Sequence, residues 1–598
     1  MMSAPLKHSF HIPVMGIGFT IDTPIKVAPY GISSAISLVD DMLIEKMRGY
    51  YCRQANLPYQ QITKHMDDFR AKRITAYLDV MDELVRRKFD EIKEAVHSSQ
   101  FEKYIKMMPT YLQENIQKMV SENEDRAEKV WDWVKSNLSM GSIDVNIMTK
   151  LDKDNYKGDE KLPLDYNDAH AALRGFAHSK LESAIVLSAG MNPRLYSYFE
   201  NFEDFFPNIE GKFKKKIILK VSDYRSALIQ GKFLAKKGLW VSEYRIESGL
   251  NCGGHAFATD GYLMGPILEE FKQNRASLIE TTAELLFKAL QEQGKTVPTE
   301  VPALRITAQG GVGTSEEHDF LLKHYQLDSI GWGTPFLLVP EAVSIDSKTL
   351  HLISEAKEKD LYLSDISPLG VPFNNVRGNT IDLEKEKNIL KGRPGSSCPK
   401  KYASLNTEFT EQVICTASRQ YQNLKLKELE ELGLDKQTYD REFNRITVKS
   451  CVCKGLGTAA LVANDIERKV EGEGISICPG PNMAYYSEEV SLAKMVDHIY
   501  GRDNVMIRKD RPFVFVKELS LYVAYFKNKL EEIYEPLTPK QIKYFDNFRK
   551  NLNEGIGYYR ELLQMESVKN RFDIQAILSK INELEEELNE VDIEALQV

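Results

Sequence analysis

Two glycine turns, Ala308-Gln309-Gly310-Gly311-Val312 and Gly331-Trp332-Gly333-Thr334-Pro335-Phe336, are spaced to aim backbone N–H groups at one phosphate. Glycine permits positive φ and lets a ligand approach the main chain closely. Each turn follows a short apolar run (304–307 and 329–332), and an amphipathic stretch over 314–325 separates them. A (β/α)8 barrel holds a phosphate in this way after its last two strands.

The second group is Glu247-Ser248-Gly249-Leu250-Asn251-Cys252-Gly253-Gly254-His255, just past an apolar run at 239–242. In a parallel barrel a strand end opens onto the catalytic face. Gly253 and Gly254 let the chain pass close to a flat ligand, and His255 is the side chain suited to move a proton near neutral pH. An isolated histidine is more often structural; its place on a strand-end glycine turn favours the catalytic role.

The third group is thiol-rich. Cys398, Cys415, Cys451, Cys453 and Cys478 fall within 398–478, whereas everything before holds only Cys52 and Cys252. Thiolates select zinc or iron–sulfur clusters. The spacing matches no standard zinc ribbon or ferredoxin run, so buried thiols, an iron–sulfur cluster, zinc and a redox thiol pair all stay open. Gly455-Leu456-Gly457 lacks the third glycine of a dinucleotide fingerprint and reads as a helix start beside the cysteines.

The elements that must position these residues alternate. Apolar strands are expected at 25–28, 143–147, 184–187, 217–221, 239–242, 304–307 and 329–332, with a weak eighth at 361–363. Helical patterns separate most of them, which implies a closed parallel sheet with helices outside. The barrel is therefore expected over 10–390, interrupted by a helical insertion at 40–138. In that insertion Ile74, Leu78, Met81 and Val85 recur at helical spacing. It reads as a cap or oligomer surface, or as extra packing around the barrel. A cysteine-containing region follows over 391–510, then a helical region over 511–598 whose stripe Ile577, Ile581, Leu584, Leu588 and Val591 suits core packing or a dimer contact.

The chain has 598 residues, 42% apolar and 28% charged, which is ordinary for a globular protein with several structural units. A net charge of −9 gives no basic stripe for nucleic acid. No run reaches transmembrane length and no secretory signal is evident, so no membrane association and a cytoplasmic location with reduced thiols are expected.

Taken in order, these motifs resemble the nitronate monooxygenase (2-nitropropane dioxygenase-like) family of FMN-dependent barrels, which includes flavin enoyl-acyl-carrier-protein reductases. The matching residues are Gly253-Gly254-His255, Ala308 to Val312, and Gly333 to Leu337, with weaker matches at Val145-Asn146 and Val221-Ser222. The resemblance covers about 143–340 and implies non-covalent FMN. Its phosphate would lie on Gly310, Gly311, Gly333 and Thr334, with Asn146 and Lys220 near the ring or ribityl chain and His255 as proton donor or base. It implies oxidation of a nitronate or reduction of an activated double bond, and metallated cysteines would favour reduction by a protein electron donor. A lyase or isomerase without flavin and a non-catalytic scaffold are the alternatives. A homo-oligomer is compatible with either.

Overall fold

Eight short segments pair in parallel and close on themselves: β1 (Phe10–Ile12), β2 (Ser33–Ser37), β3 (Ile143–Ile147), β4 (Ala184–Leu187), β5 (Lys216–Val221), β6 (Val241–Glu247), β7 (Arg305–Gln309) and β8 (Ser329–Gly331). Neighbours in sequence are neighbours in the ring, and β1 completes it against β8 with His11 opposite Gly331. This is the expected (β/α)8 barrel. The computed structural model describes residues 6–122, 127–188, 190–251, 260–533, 536–591 and 593.

Two strand expectations are corrected. Residues 25–28 are not a strand: Thr23–Val27 is an α-helix and Ala28–Tyr30 a 3-10 turn. Pro24 and Pro29 explain the outcome, because proline suits a first helical turn and interrupts a ladder. The Leu361–Ser364 segment is a strand, but it pairs antiparallel with Phe373–Val376 outside the barrel. The barrel's first two strands are β1 and β2, so the helical insertion separates the second and third strands.

Strand alternation lines the barrel interior with polar groups. On β6, Glu243, Arg245 and Glu247 share one face, while Tyr244 points outward to Phe271 of helix Met264–Glu292. Inside, Arg245 pairs with Glu243 at 2.7 Å and stands 3.7 Å from Asp144, and Thr307 donates to Glu243 at 2.7 Å. Burial alone would raise the Glu243 carboxyl, but Arg245 and Arg305 hold it down to about 2. Asp144 is raised by burial, which outweighs its Arg245 neighbour. A buried carboxylate is tolerable here because it is both paired and hydrogen-bonded.

The insertion forms helices Asp41–Gln54, Phe69–Glu94, Ser99–Met107, Thr110–Glu122 and Ala127–Asn137. The predicted stripe of Phe69–Glu94 is buried, and this helix packs on Asp41–Gln54 and on Asp168–Ala177, which follows β3. Extra packing around the barrel is therefore what this helix does. Helix Ile574–Asn589 buries Ile577, Ile581, Leu584 and Leu588 against helix Val514–Glu531, which spends the C-terminal stripe on internal packing. Among the described residues no single helix is long and apolar enough to cross a membrane.

Candidate active site

The C-terminal ends of the strands open into a cavity of about 630 Å³. Asn146 of β3, Lys220 of β5, Arg245 and Glu247 of β6, and Gln309 of β7 supply its polar lining. Across from them the chain returns after the barrel: Pro368, Leu369, Val371, Leu405 and Ile414 present apolar surface. Val452, Cys453 and Leu456 come from the start of helix Val452–Ala463. That helix meets the loop after β1 at backbone distance, Gly18 N–H donating to Leu456 O at 2.8 Å. A side chain at Gly18 would stand 2.7 Å from the same carbonyl, so the contact requires glycine.

One carboxylate organises the polar set. Glu247 Oε1 receives Lys220 Nζ at 3.1 Å, Asn251 Nδ2 at 2.8 Å and Gln309 Nε2 at 3.1 Å. Gln309 Nε2 also reaches Asn251 Oδ1 at 3.0 Å. Glu247 Oε2 and Gln309 Oε1 are buried with no hydrogen-bond partner among the described residues. Buried polar atoms are nearly always paired, so two orphans on one cavity lining mark where a ligand's donors belong. Asn146, also on the lining, makes no side-chain hydrogen bond to a described residue.

Gly310 and Gly311 have φ of 109° and 88°, the left-handed region that glycine tolerates. A side chain on Gly311 would collide with Leu250 Cδ1 at 2.6 Å. The carbonyls of Gly311 and Gly313 are held by side chains from the C-terminal part of the chain. Gly311 O accepts from Arg511 Nη2 at 2.5 Å and Asn482 Nδ2 at 2.6 Å, and Gly313 O accepts from Tyr486. Arg511 is itself buried in an ion pair with Glu317 at 2.7 Å. The N–H groups of Gly310, Gly311, Gly333 and Thr334 meet no acceptor among the described residues. The cavity lining reaches Gln309 and stops short of these four residues.

His255, with Cys252, Gly253 and Gly254, lies outside the described residues. Glu518 joins described residues on either side of 252–259: it accepts from Ser248 Oγ at 2.6 Å and from Met264 N–H at 2.9 Å. Burial pushes the Glu518 carboxyl up to about 7.

Four of the predicted cysteines come together. The Cys398 thiol is within hydrogen-bonding reach of Cys415 and Cys451, and Cys451 of Cys453. Hydrogen bonds from Cys398 draw the Cys415 and Cys451 thiols down, and the same contacts push Cys398 up. Cys478 is buried in the main core beside Ile477. Among the described residues no group of three or more His, Cys, Asp or Glu side chains is arranged to hold a single metal ion.

No family model and no curated protein matches the chain. Among solved structures it is similar to the enoyl reductase domain of MlnA from the macrolactin cluster of Bacillus amyloliquefaciens, at 14% identity and a TM-score of 0.31, covering 71% of this chain and 88% of that one. It is also similar to nitroalkane oxidase from Streptomyces ansochromogenes, at 9% identity and a TM-score of 0.34, covering 83% of this chain and 95% of that one. Likeness at this level leaves the site's chemistry to its own residues.

Of the residues that build the candidate site, Glu247 and Gln309 stand inside motifs legible in the sequence, at the cavity end of β6 and β7. Arg511, Asn482 and Glu518 carry no local signal. They reach the site from another part of the chain.

Proposed function

We propose that this chain is an FMN-dependent oxidoreductase acting on a small organic substrate at the barrel mouth. The observation that carries the reading is the pairing of orphaned Glu247 Oε2 and Gln309 Oε1 on the cavity lining with the acceptor-less N–H groups of two glycine turns. A flat heteroaromatic ring with donors of its own suits the first, and a phosphate suits the second. Asn146, Lys220 and Gln309 would hold the ring, while Gly310, Gly311, Gly333 and Thr334 would hold the phosphate. When bound, FMN supplies hydride chemistry, which no amino-acid side chain provides.

The protein's own residues account for the rest. Lys220, fixed by Glu247 at 3.1 Å, places a cation where negative charge on a reduced ring would be stabilised. The side chains of Leu369, Leu405 and Ile414 give the facing wall an apolar surface. His255 would deliver or take the proton, and Glu518 would hold the described chain on either side of it through Ser248 and Met264. Oxidation of a nitronate and reduction of an activated double bond both suit this arrangement.

Two anaerobic additions test the activity: a nitronate to the flavin-loaded protein in its oxidised form, and an activated alkene to the same protein after reduction. Recovery of the oxidised flavin spectrum with the alkene assigns a reductase. If reoxidation requires oxygen and turnover consumes the nitronate, the chain is an oxidase or monooxygenase. Failure of both substrate classes to change the flavin's redox state or its steady-state turnover would contradict the proposal.

A further inference from the structure

Resting on the reading of the barrel mouth as a flavoenzyme's substrate chamber, we infer that its substrate has an apolar body and one carboxylate, and that Lys150 receives the carboxylate. The charged residues on the cavity lining are Lys150, Lys220, Arg245 and Glu247. Lys220 is paired with Glu247 at 3.1 Å, and Arg245 with Glu243 at 2.7 Å. Lys150, exposed at the mouth, meets no carboxylate and no hydrogen-bond acceptor among the described residues. The lining therefore carries one uncompensated positive charge, and a cleft of one sign draws ligands of the other.

The chain around this lysine is fixed. Thr149 N–H donates to Ser188 Oγ at 2.9 Å, Thr149 Oγ1 donates to Gly190 O at 2.9 Å, and Asn192 Nδ2 donates to Thr149 O at 3.2 Å. The ends of β3 and β4 are thus tied together beside Lys150. Gly190, with φ of 108°, lies under the lysine stem, where a Cβ would stand 2.9 Å from Lys150 Cε. Glycine leaves that path along the lining open.

The facing wall suits the body of the ligand. Leu369 and Ile414 are half-buried and Leu405 is 44% exposed, although all three line the cavity. Apolar area left open on a concave wall is what a ligand's hydrocarbon covers. The head group follows from the charge. One ammonium is a compact point charge that matches a carboxylate. A phosphate monoester carries about −1.5 to −2 at neutral pH and is better met by a guanidinium fork, and Arg245 already spends its fork on Glu243.

Calorimetric titration of the full chain, with FMN and without it, compares octanoate with octanamide, acetate and octyl phosphate. Octanoate is expected to bind about tenfold or more tightly than octanamide, which lacks the charge, and than acetate, which lacks the body. Lys150→Met should erase the preference over octanamide, and Lys150→Arg should keep it. Leu405→Ser should weaken octanoate and octanamide alike. Circular dichroism checks the fold of each variant, and the wild-type comparison decides alone for any that does not fold. Equal affinity of the wild-type protein for octanoate and either octanamide or acetate would overturn the proposal. So would a preference that survives in Lys150→Met, or tighter binding of octyl phosphate than of octanoate. A Lys150-dependent preference in protein that takes up no FMN would uphold the acid site and contradict only the flavin reading. FMN uptake without the preference would do the reverse.

Discussion

Lys220→Met should weaken FMN binding by about 10- to 100-fold, the effect of losing one charge-assisted contact worth roughly 1.5–3 kcal/mol. The barrel should survive the change. Glu247 keeps Asn251 Nδ2 at 2.8 Å and Gln309 Nε2 at 3.1 Å after the cation is gone, so the buried carboxylate is not left bare. Asn146→Leu is the gentler companion. Asn146 bonds no described side chain, so its loss should cost little stability and about tenfold in FMN affinity. Fluorescence titration of FMN into the apoprotein measures both, with circular dichroism as the fold control. An unchanged dissociation constant in the folded Lys220→Met protein would remove Lys220 from the site.

Arg511→Met should destabilise the protein by about 3–5 kcal/mol, the usual cost of removing one partner from a buried ion pair. Arg511 and Glu317 side chains are 2% and 3% exposed, so water cannot rescue the remaining carboxylate. Among the described residues Glu317 would retain only backbone donors, Gly313 N–H at 2.9 Å and Val514 N–H at 2.8 Å. The same guanidinium fixes Gly311 O, so the glycine turn should loosen and FMN retention should fall as well. Arg511→Lys should not restore either property, because a point charge cannot bond Glu317 and Gly311 O together as the planar fork does. Urea unfolding followed by circular dichroism gives the free energy. A loss below about 1 kcal/mol would mean the pair is not the clamp described.

Much of the barrel is legible locally. β4 is an uninterrupted apolar run and β5 is apolar apart from Lys216 and Lys220, the composition that burial on both faces of a parallel sheet demands. β1 and β2 are not legible for opposite reasons. β1 has three residues, too few for a period, and β2 is serine-rich with only Ala35 and Ile36 apolar. The run at 25–28 competes for the assignment until the two prolines that flank it are weighed. Leu361–Ser364 is a real strand, but nothing within four residues tells which partner a strand will choose.

The candidate site divides along the same line. Asn146 and Lys220 stand on strands whose alternation points them inward, so their place on the cavity lining follows from periodicity. Gly310 and Gly311 declare the turn but not what surrounds it. Arg511 lies 200 positions from Gly311 and Glu518 lies 270 from Ser248. No window of sequence contains both partners, and only the closed fold brings them together. Gly311 itself is a poor probe of the phosphate site. A side chain there would break packing against Leu250 before it reached any phosphate, so variants at Lys220 and Asn146 are the cleaner probes.

The most direct test of the central claim is the flavin content of the purified wild-type protein. The chain is prepared with added FMN, freed of excess by gel filtration, denatured, and the released cofactor identified by chromatography. About one FMN per chain is predicted, with the oxidised flavin spectrum visible before denaturation. Protein that stays colourless and releases no FMN would contradict the account.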